Sequence, residues 1–172
     1  MPAVLRVLRC VAAAVVVVPL ACAGAHAAQR VLVNPFHDPF EQVTHGACAC
    51  PAPQPPSYTE RDMHLAEHHR VEQGNSCYLA GRCRYSSSFD YDAGIARALR
   101  ERLRAAPALR GSSVWILVQG RFVQLQGCVR DAAQARAAEA IARATPDVQA
   151  VLPELRVGAR GQLPYSPASA PR

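Results

Sequence analysis

The chain has 172 residues, with 14 prolines, 10 glycines and 7 cysteines, and half of its residues are apolar. All 19 of its basic residues are arginine, and together with 13 acids they give a formal net charge of +6. This length allows one domain of ordinary size or a small domain with extensions, and it excludes a large multidomain enzyme. Seven cysteines are unusual in a cytosolic protein of this size, so they favour an oxidising compartment.

The N-terminus has the pattern of an export signal. Arg6 and Arg9 precede an uncharged apolar run over residues 11–23, and Ala25-His26-Ala27 fits a small-residue cleavage site. The apolar run is shorter than the about 20 residues that a membrane-spanning helix needs. We therefore interpret residues 1–27 as a cleaved signal peptide that delivers the chain to the periplasm.

A lipid anchor is the alternative outcome of export. Leu20-Ala21-Cys22 resembles the end of a lipobox, the motif in which a cysteine is lipidated. Pro19 stands where that motif has leucine, which favours the cleaved soluble form. The alternative localisation is a lipoprotein anchored through Cys22.

Residues 28–88 form a Cys-, His- and Pro-rich extension that is predicted to be largely irregular. One helix is expected in it, over residues 60–73, because this stretch contains no proline or glycine. Thr59 can cap that helix with Asp62 at the third position, and Gly74 lies where a helix would end.

The second half of the chain has a pattern that predicts the order α-β-β-α-β. A helix begins at Asp92, a good N-cap, and ends before Pro107. Two strands with period-two apolar patterns follow, then an alanine-rich helix over about 131–144 and a last strand that contains Pro153. Because proline cannot donate a ladder hydrogen bond, the last strand is expected at an edge of the sheet. The core candidates on one face are Ile95, Leu99 and Leu103 on the helix, Val114, Ile116 and Val118 on the first strand, and Val123, Leu125 and Val129 on the second.

An ordered set of motifs spans roughly residues 88–158. The motifs are Asp92-x-x-Ile95, Val123-x-Leu125-x-Gly127-x-Val129, Ile141-Ala142-Arg143, Pro146-x-Val148-x-x-Val151 and Leu155-x-Val157. In this order they resemble a BON domain, a family named for an osmotically induced periplasmic protein and nodulation proteins. The resemblance implies an α+β fold with a three-stranded mixed sheet and two helices on one face. It also implies an envelope protein that binds rather than catalyses, with anionic phospholipid as the usual proposed ligand.

We place this BON-like domain at residues 89–158 and a proline-rich, disordered tail at residues 159–172. If the helices cover one face of the sheet, strict alternation puts Trp115, Leu117 and Phe122 on the other face. Such an apolar surface is large for a bare sheet, so it either binds a partner or is covered by the extension. We favour the extension, because that segment has no core of its own.

The five cysteines of the mature chain are candidates for disulfides: Cys48, Cys50, Cys77, Cys83 and Cys128. A bridge between Cys48 and Cys50 would be badly strained, so the favoured frameworks connect that pair to Cys77, Cys83 or Cys128. At least one bridge is expected among the first four, because export makes oxidation possible.

A metal-binding or redox protein of the periplasm is the alternative from another class. His64 and His68 lie four residues apart on the predicted helix, so their imidazoles can face one way. The cysteine spacings do not match the C-x2-C pairs of structural zinc sites, and no C-x-x-C redox pair occurs. The sequence also lacks a nucleophile elbow, a phosphate loop and a zinc-protease helix, so we expect neither a cofactor nor an enzyme.

The arginines are the favoured binding feature. Arg97, Arg100 and Arg104 recur along one side of the first helix of the module, and Arg121 lies at the predicted hairpin. Guanidinium groups make paired hydrogen bonds to phosphate, so the expected partner is a membrane surface with anionic phospholipid, or an envelope protein. Nucleic acid is not expected, because the chain is exported and its aromatic residues show no stacking pattern.

Overall fold

The computed structural model describes residues 30–46 and 50–169. The extension contributes β1 (Val31–Val33), β2 (Phe40–Gln42), β3 (Ser57–Thr59), α1 (Glu60–Glu72) and α2 (Asn75–Leu79). The second half contributes α3 (Asp92–Ala105), β4 (Ser113–Gln119), β5 (Phe122–Val129), α4 (Ala132–Arg143) and β6 (Ala150–Val157). The predicted signal peptide with Cys22, and the disulfide candidate Cys48, lie outside the described residues.

The second half confirms the predicted α-β-β-α-β order and its mixed sheet. β4 pairs antiparallel with β5, and β5 pairs in parallel with β6. The sheet has four strands rather than the predicted three, because β2 of the extension joins β4 and gives the order β2-β4-β5-β6. Without β2, strand β4 would expose a row of unpaired backbone groups. β6 is an edge strand, as expected from Pro153.

The extension is more ordered than the predicted largely irregular segment with one helix. α1 confirms the expected helix, and the Thr59 hydroxyl accepts a hydrogen bond from the Asp62 amide at 3.2 Å. A second helix, α2, follows directly, and β1 pairs antiparallel with β3. These additional elements have three to five residues each, too short for a periodic pattern to predict them.

The core lies between the sheet and helices α3 and α4. The predicted inward face is confirmed, since all nine candidates are at most 2% exposed: Ile95, Leu99, Leu103, Val114, Ile116, Val118, Val123, Leu125 and Val129. Val43 follows β2 and is completely buried in the same cluster, so the extension contributes to the core of the second half. In the part of the chain that the structure describes, no helix is both long and apolar enough to cross a membrane.

The β4–β5 hairpin is held by a buried carboxylate. Gly120 and Arg121 both have positive φ, 58° and 72°, as the two central residues of a type I′ turn require. The Asp92 carboxylate accepts hydrogen bonds from the Gly120 and Arg121 amides at 2.6 and 2.8 Å. The predicted N-cap role of Asp92 is therefore corrected: Tyr91 occupies the cap position, and Asp92 is the first residue of α3.

Two disulfides join the described cysteines, Cys50–Cys128 and Cys77–Cys83. The first closes a separation of 78 residues and connects the extension to the outer face of the sheet. It is one of the favoured pairings, in which Cys48 or Cys50 is joined to Cys77, Cys83 or Cys128. The second closes a separation of only six residues and lies wholly within the extension.

The described part of the tail, up to Ser169, differs from the predicted disorder. Tyr165 is only 7% exposed, and its hydroxyl donates to the Pro51 carbonyl at 2.8 Å. The tail also pairs with the polyproline segment through a bridge between Pro53 and Pro167. The aromatic ring of Tyr165 covers the Cys50–Cys128 region. Its burial stabilises an ordered tail, which the proline-rich composition did not predict.

Candidate functional site

The four arginines predicted to bind lipid do not form one free surface. Arg100 donates two hydrogen bonds, from Nε and Nη2, to the Glu41 carboxylate at 2.7 and 2.6 Å. This contact joins α3 to β2 and raises the pKa of Arg100. Arg121 donates from Nε to the Asp147 carbonyl at 2.8 Å, and its guanidinium carbon lies 4.8 Å from the Tyr91 ring centroid. Both side chains therefore have partners within the fold.

Arg97 and Arg104 are the exposed members of the predicted set. They are seven residues apart on α3, so they project from the same side of the helix. Arg104 donates from Nε to the Val43 carbonyl at 3.1 Å. That bond uses only Nε, so the two terminal nitrogens can still pair end-on with phosphate oxygens.

Arg104 lines a cleft of about 350 Å³ at the C-terminal end of α3. His45 and Arg110 line the same cleft, and both are exposed. None of the described residues that line it is acidic. We call this surface, defined by His45, Arg104 and Arg110, the basic cleft.

A close approach of two backbones builds the basic cleft. A Cβ atom on Gly46 would lie 2.5 Å from the Gly111 Cα atom, so this crossing requires glycine at position 46. The Gly46 amide donates to the Ser112 carbonyl at 2.7 Å, and Gly111 has a φ of 79°. The segment that carries His45 is thereby held against the loop that carries Arg110.

Sequence reasoning did not predict that His45 and Arg110 line a common cleft. Each lies in a loop with no periodic pattern, and 65 positions separate them along the chain. The glycines that follow them, Gly46 and Gly111, were the available signal. A glycine indicates that a tight backbone approach is possible, but it does not indicate which segment approaches.

Further positive charge surrounds the basic cleft. A second cleft, of about 240 Å³, shares Gly111 with it and is lined by Arg130 and Arg156. Arg130 forms an ion pair with its neighbour Asp131 at 3.0 Å. The basic cleft therefore lies at an end of the domain where arginine outnumbers acidic residues.

The predicted partner-binding face is largely covered by the extension. Leu117 is buried at 6% exposure, and the ring of half-buried Trp115 lies 5.1 Å from the ring of Phe40 in β2. Phe122 is half-buried and lines a cleft of about 360 Å³ beneath α1. Leu152, at the edge of that cleft, remains 41% exposed.

A buried ion pair anchors α1 over this face. The Arg70 guanidinium carbon lies 3.9 Å from the ring centroid of Phe36 and 4.0 Å from that of Phe89. Its terminal nitrogen donates to the Asp38 carboxylate, whose side chain is 4% exposed. Gln119 of β4 donates to the same oxygen at 2.6 Å. Arg70 is therefore a structural residue, since both its charge and its planar faces are engaged.

Among the described carboxylates, that of Asp92 has the pKa that departs most from its ordinary value. Burial raises the pKa of Asp92 to about 6, against the two hydrogen bonds from Arg121 and Gly120, which lower it. The group holds a turn and lies in the core beneath the hairpin. Its position therefore indicates a role in stability rather than in ligand binding.

The alternative metal ligands are not assembled into a site. His64 and His68 are 73% and 77% exposed, and each pairs with an acid on its own helix, Glu67 and Glu72. Over residues 30–46 and 50–169, no group of three or more His, Cys, Asp and Glu side chains is placed to hold a metal ion.

Comparison with known protein families gives a match for the second half of the chain. Residues 91–159 match the family model described as the BON domain. No curated protein matches the chain significantly. No solved structure matches it significantly either.

Proposed function

We propose that the protein is an exported, envelope-associated binding protein that contacts anionic phospholipid through its basic cleft, and the match of residues 91–159 to the BON domain model supports this proposal. The observation that carries the proposal is the convergence of His45, Arg104 and Arg110 on a cleft whose described lining contains no acid. A phosphate group is the common anionic feature of these lipids and suits guanidinium donors.

The charge supports weak, reversible contact rather than insertion. An arginine near an anionic membrane surface contributes about 1 kcal/mol, so Arg104 and Arg110 together contribute about 2 kcal/mol. Arg97 extends the same side of α3 and adds to the attraction. Export is supported by the signal-like pattern of residues 1–27, and the expected location is the periplasm.

Vesicle flotation tests this proposal. The double variant Arg104→Gln, Arg110→Gln should bind anionic phosphatidylglycerol vesicles about 30-fold more weakly than the wild type, which corresponds to about 2 kcal/mol. The matched control is Arg136→Gln, Arg143→Gln, which removes the same charge from exposed positions on α4. It should retain most of the binding, and thermal unfolding of each variant checks that the fold is intact.

Salt dependence provides a second readout. Exposed charges are screened over about 8 Å at physiological ionic strength, so flotation of the wild type should fall as salt rises. It should also be weak with neutral phosphatidylcholine vesicles. An equal loss in both double variants would assign binding to overall charge rather than to the basic cleft. No flotation of the wild type with anionic vesicles at low salt would refute the proposal.

A further inference from the structure

The two disulfides lie in different environments. In the first, Cys128 is 3% exposed and Cys50 is partly exposed, and the Tyr165 hydroxyl lies 3.6 Å from Cys50 Sγ and 3.9 Å from Cys128 Sγ. Cys77 and Cys83 are both partly exposed, and both line a cleft of about 670 Å³ beside the hairpin of the BON domain. A disulfide exposed to solvent is more open to exchange with a thiol than a buried one.

The cleft at Cys77–Cys83 is positively charged. Arg82, Arg121 and His69 line it, and none of the described residues lining it is acidic. Arg121 Nη1 lies 3.9 Å from Cys83 Sγ. Outside the lining, Asp147 forms an ion pair with Arg84 at 3.0 Å, and Asp92 accepts a hydrogen bond from the Arg121 amide at 2.8 Å. The two arginines therefore give the lining of this cleft a positive charge.

We propose that Cys77–Cys83 is a site of thiol–disulfide exchange with small acidic thiols. The cationic lining attracts the carboxylates of such a thiol, and the size of the cleft suits a short peptide. Arg121 stabilises the sulfur that leaves as a thiolate, because a nearby guanidinium favours the charged form of a thiol. This inference rests on the disulfide and its cleft and is independent of the proposed lipid contact.

The exchange proceeds in two balanced steps. A thiolate RS⁻ attacks Cys77 Sγ, the new S–S bond forms as the Cys77–Cys83 bond breaks, and the electron pair leaves on Cys83 Sγ beside Arg121. A second thiolate then attacks the sulfur atom that the first thiol contributed to the mixed disulfide. This step releases the disulfide RSSR and leaves Cys77 as a thiolate. Two thiols are thereby oxidised, and both cysteines are reduced and take up the protons that the thiols released. The reverse reaction with RSSR restores the bond.

Glutathione serves as the acidic thiol in the test. The oxidised mature protein is treated with reduced glutathione, quenched and alkylated, and the peptides around residues 77–83 and residue 128 are mapped by mass. Cys77–Cys83 should be reduced at least about tenfold faster than Cys50–Cys128. The transient mixed disulfide should carry glutathione on Cys77 and the alkyl group on Cys83.

Two substitutions at position 121 test the role assigned to its charge. Arg121→Gln should slow reduction of Cys77–Cys83 by at least about threefold. Arg121→Lys keeps the charge and should react nearly as the wild type does. Circular dichroism checks the hairpin in both variants.

A third substitution tests recognition of the thiol. Arg82→Gln should slow reduction by glutathione but not reduction by cysteamine, a thiol of opposite charge, so the preference for glutathione should fall. Reduction of both disulfides at the same rate, glutathione found on Cys83, or equal rates in Arg121→Gln and Arg121→Lys would each overturn the proposal.

Discussion

Removal of the Cys50–Cys128 disulfide should cost more stability than removal of Cys77–Cys83. The two bridges span 78 and 6 residues. In the chain-entropy model, a bridge destabilises the unfolded state by an amount that rises with the logarithm of the number of residues in the closed loop. For these separations the model gives about 4.5 kcal/mol and about 2 kcal/mol at room temperature.

The structure adds a packing contribution to the larger value. Cys128 is buried, and the tail residue Tyr165 lies over this disulfide. Replacing both cysteines with alanine therefore leaves a small cavity in the folded state. It also increases the conformational entropy of the unfolded chain. The expected loss of unfolding free energy for Cys50→Ala, Cys128→Ala is about 4–6 kcal/mol, a large fraction of the stability of a typical domain.

Urea unfolding without reductant measures the difference. All proteins in the comparison carry Cys48→Ala, because Cys48 lies two residues from Cys50 and offers Cys128 another partner. The matched control is Cys77→Ala, Cys83→Ala, expected to lose about 2 kcal/mol. A larger loss in the control than in Cys50→Ala, Cys128→Ala would refute the reasoning from loop length and burial.

Three further predictions follow from single contacts. Because burial raises the pKa of Asp92 to about 6, its contribution to folding is most favourable when it is protonated and is lost as pH rises from about 4 through 6. Asparagine does not titrate, so only the wild type should lose this stability. The difference in unfolding free energy, Asp92→Asn minus wild type, should therefore rise by up to about 3 kcal/mol between pH 4 and pH 7 in urea titrations, and a difference that does not change with pH would contradict the raised pKa. Gly127→Ala should destabilise the fold by about 3 kcal/mol or more in thermal or urea unfolding, because φ is 123° and the new Cβ would lie 2.0 Å from the Ser113 carbonyl oxygen. Glu41→Gln should cost little unfolding free energy, since the pair with Arg100 is partly exposed, and should strengthen flotation on anionic vesicles by freeing that guanidinium. Unchanged flotation would exclude Arg100 from the lipid-facing surface.

The local patterns of the chain were sufficient to predict its second half. Alternation at Val114, Ile116 and Val118 determined which face of β4 is buried, because successive side chains of a strand point to opposite sides. The spacing of Ile95 and Leu99 did the same for α3, since residues four apart share a helix face. Pro153 indicated an edge strand through its missing donor. These signals are local, so they can be interpreted without knowing where distant segments of the chain lie.

Only the tertiary structure shows where the extension packs and which residues line the basic cleft. Strand β2 has only three residues, and its pairing with β4 becomes evident only when the two strands meet. That meeting pairs Glu41 with Arg100, one of the arginines predicted to bind lipid, and brings His45 and Arg110 to the same cleft. The partner of Cys50 was similarly left open among several cysteines. Pairings between distant segments depend on the three-dimensional positions that the whole fold imposes, and the periodicity of a single segment carries no information about them.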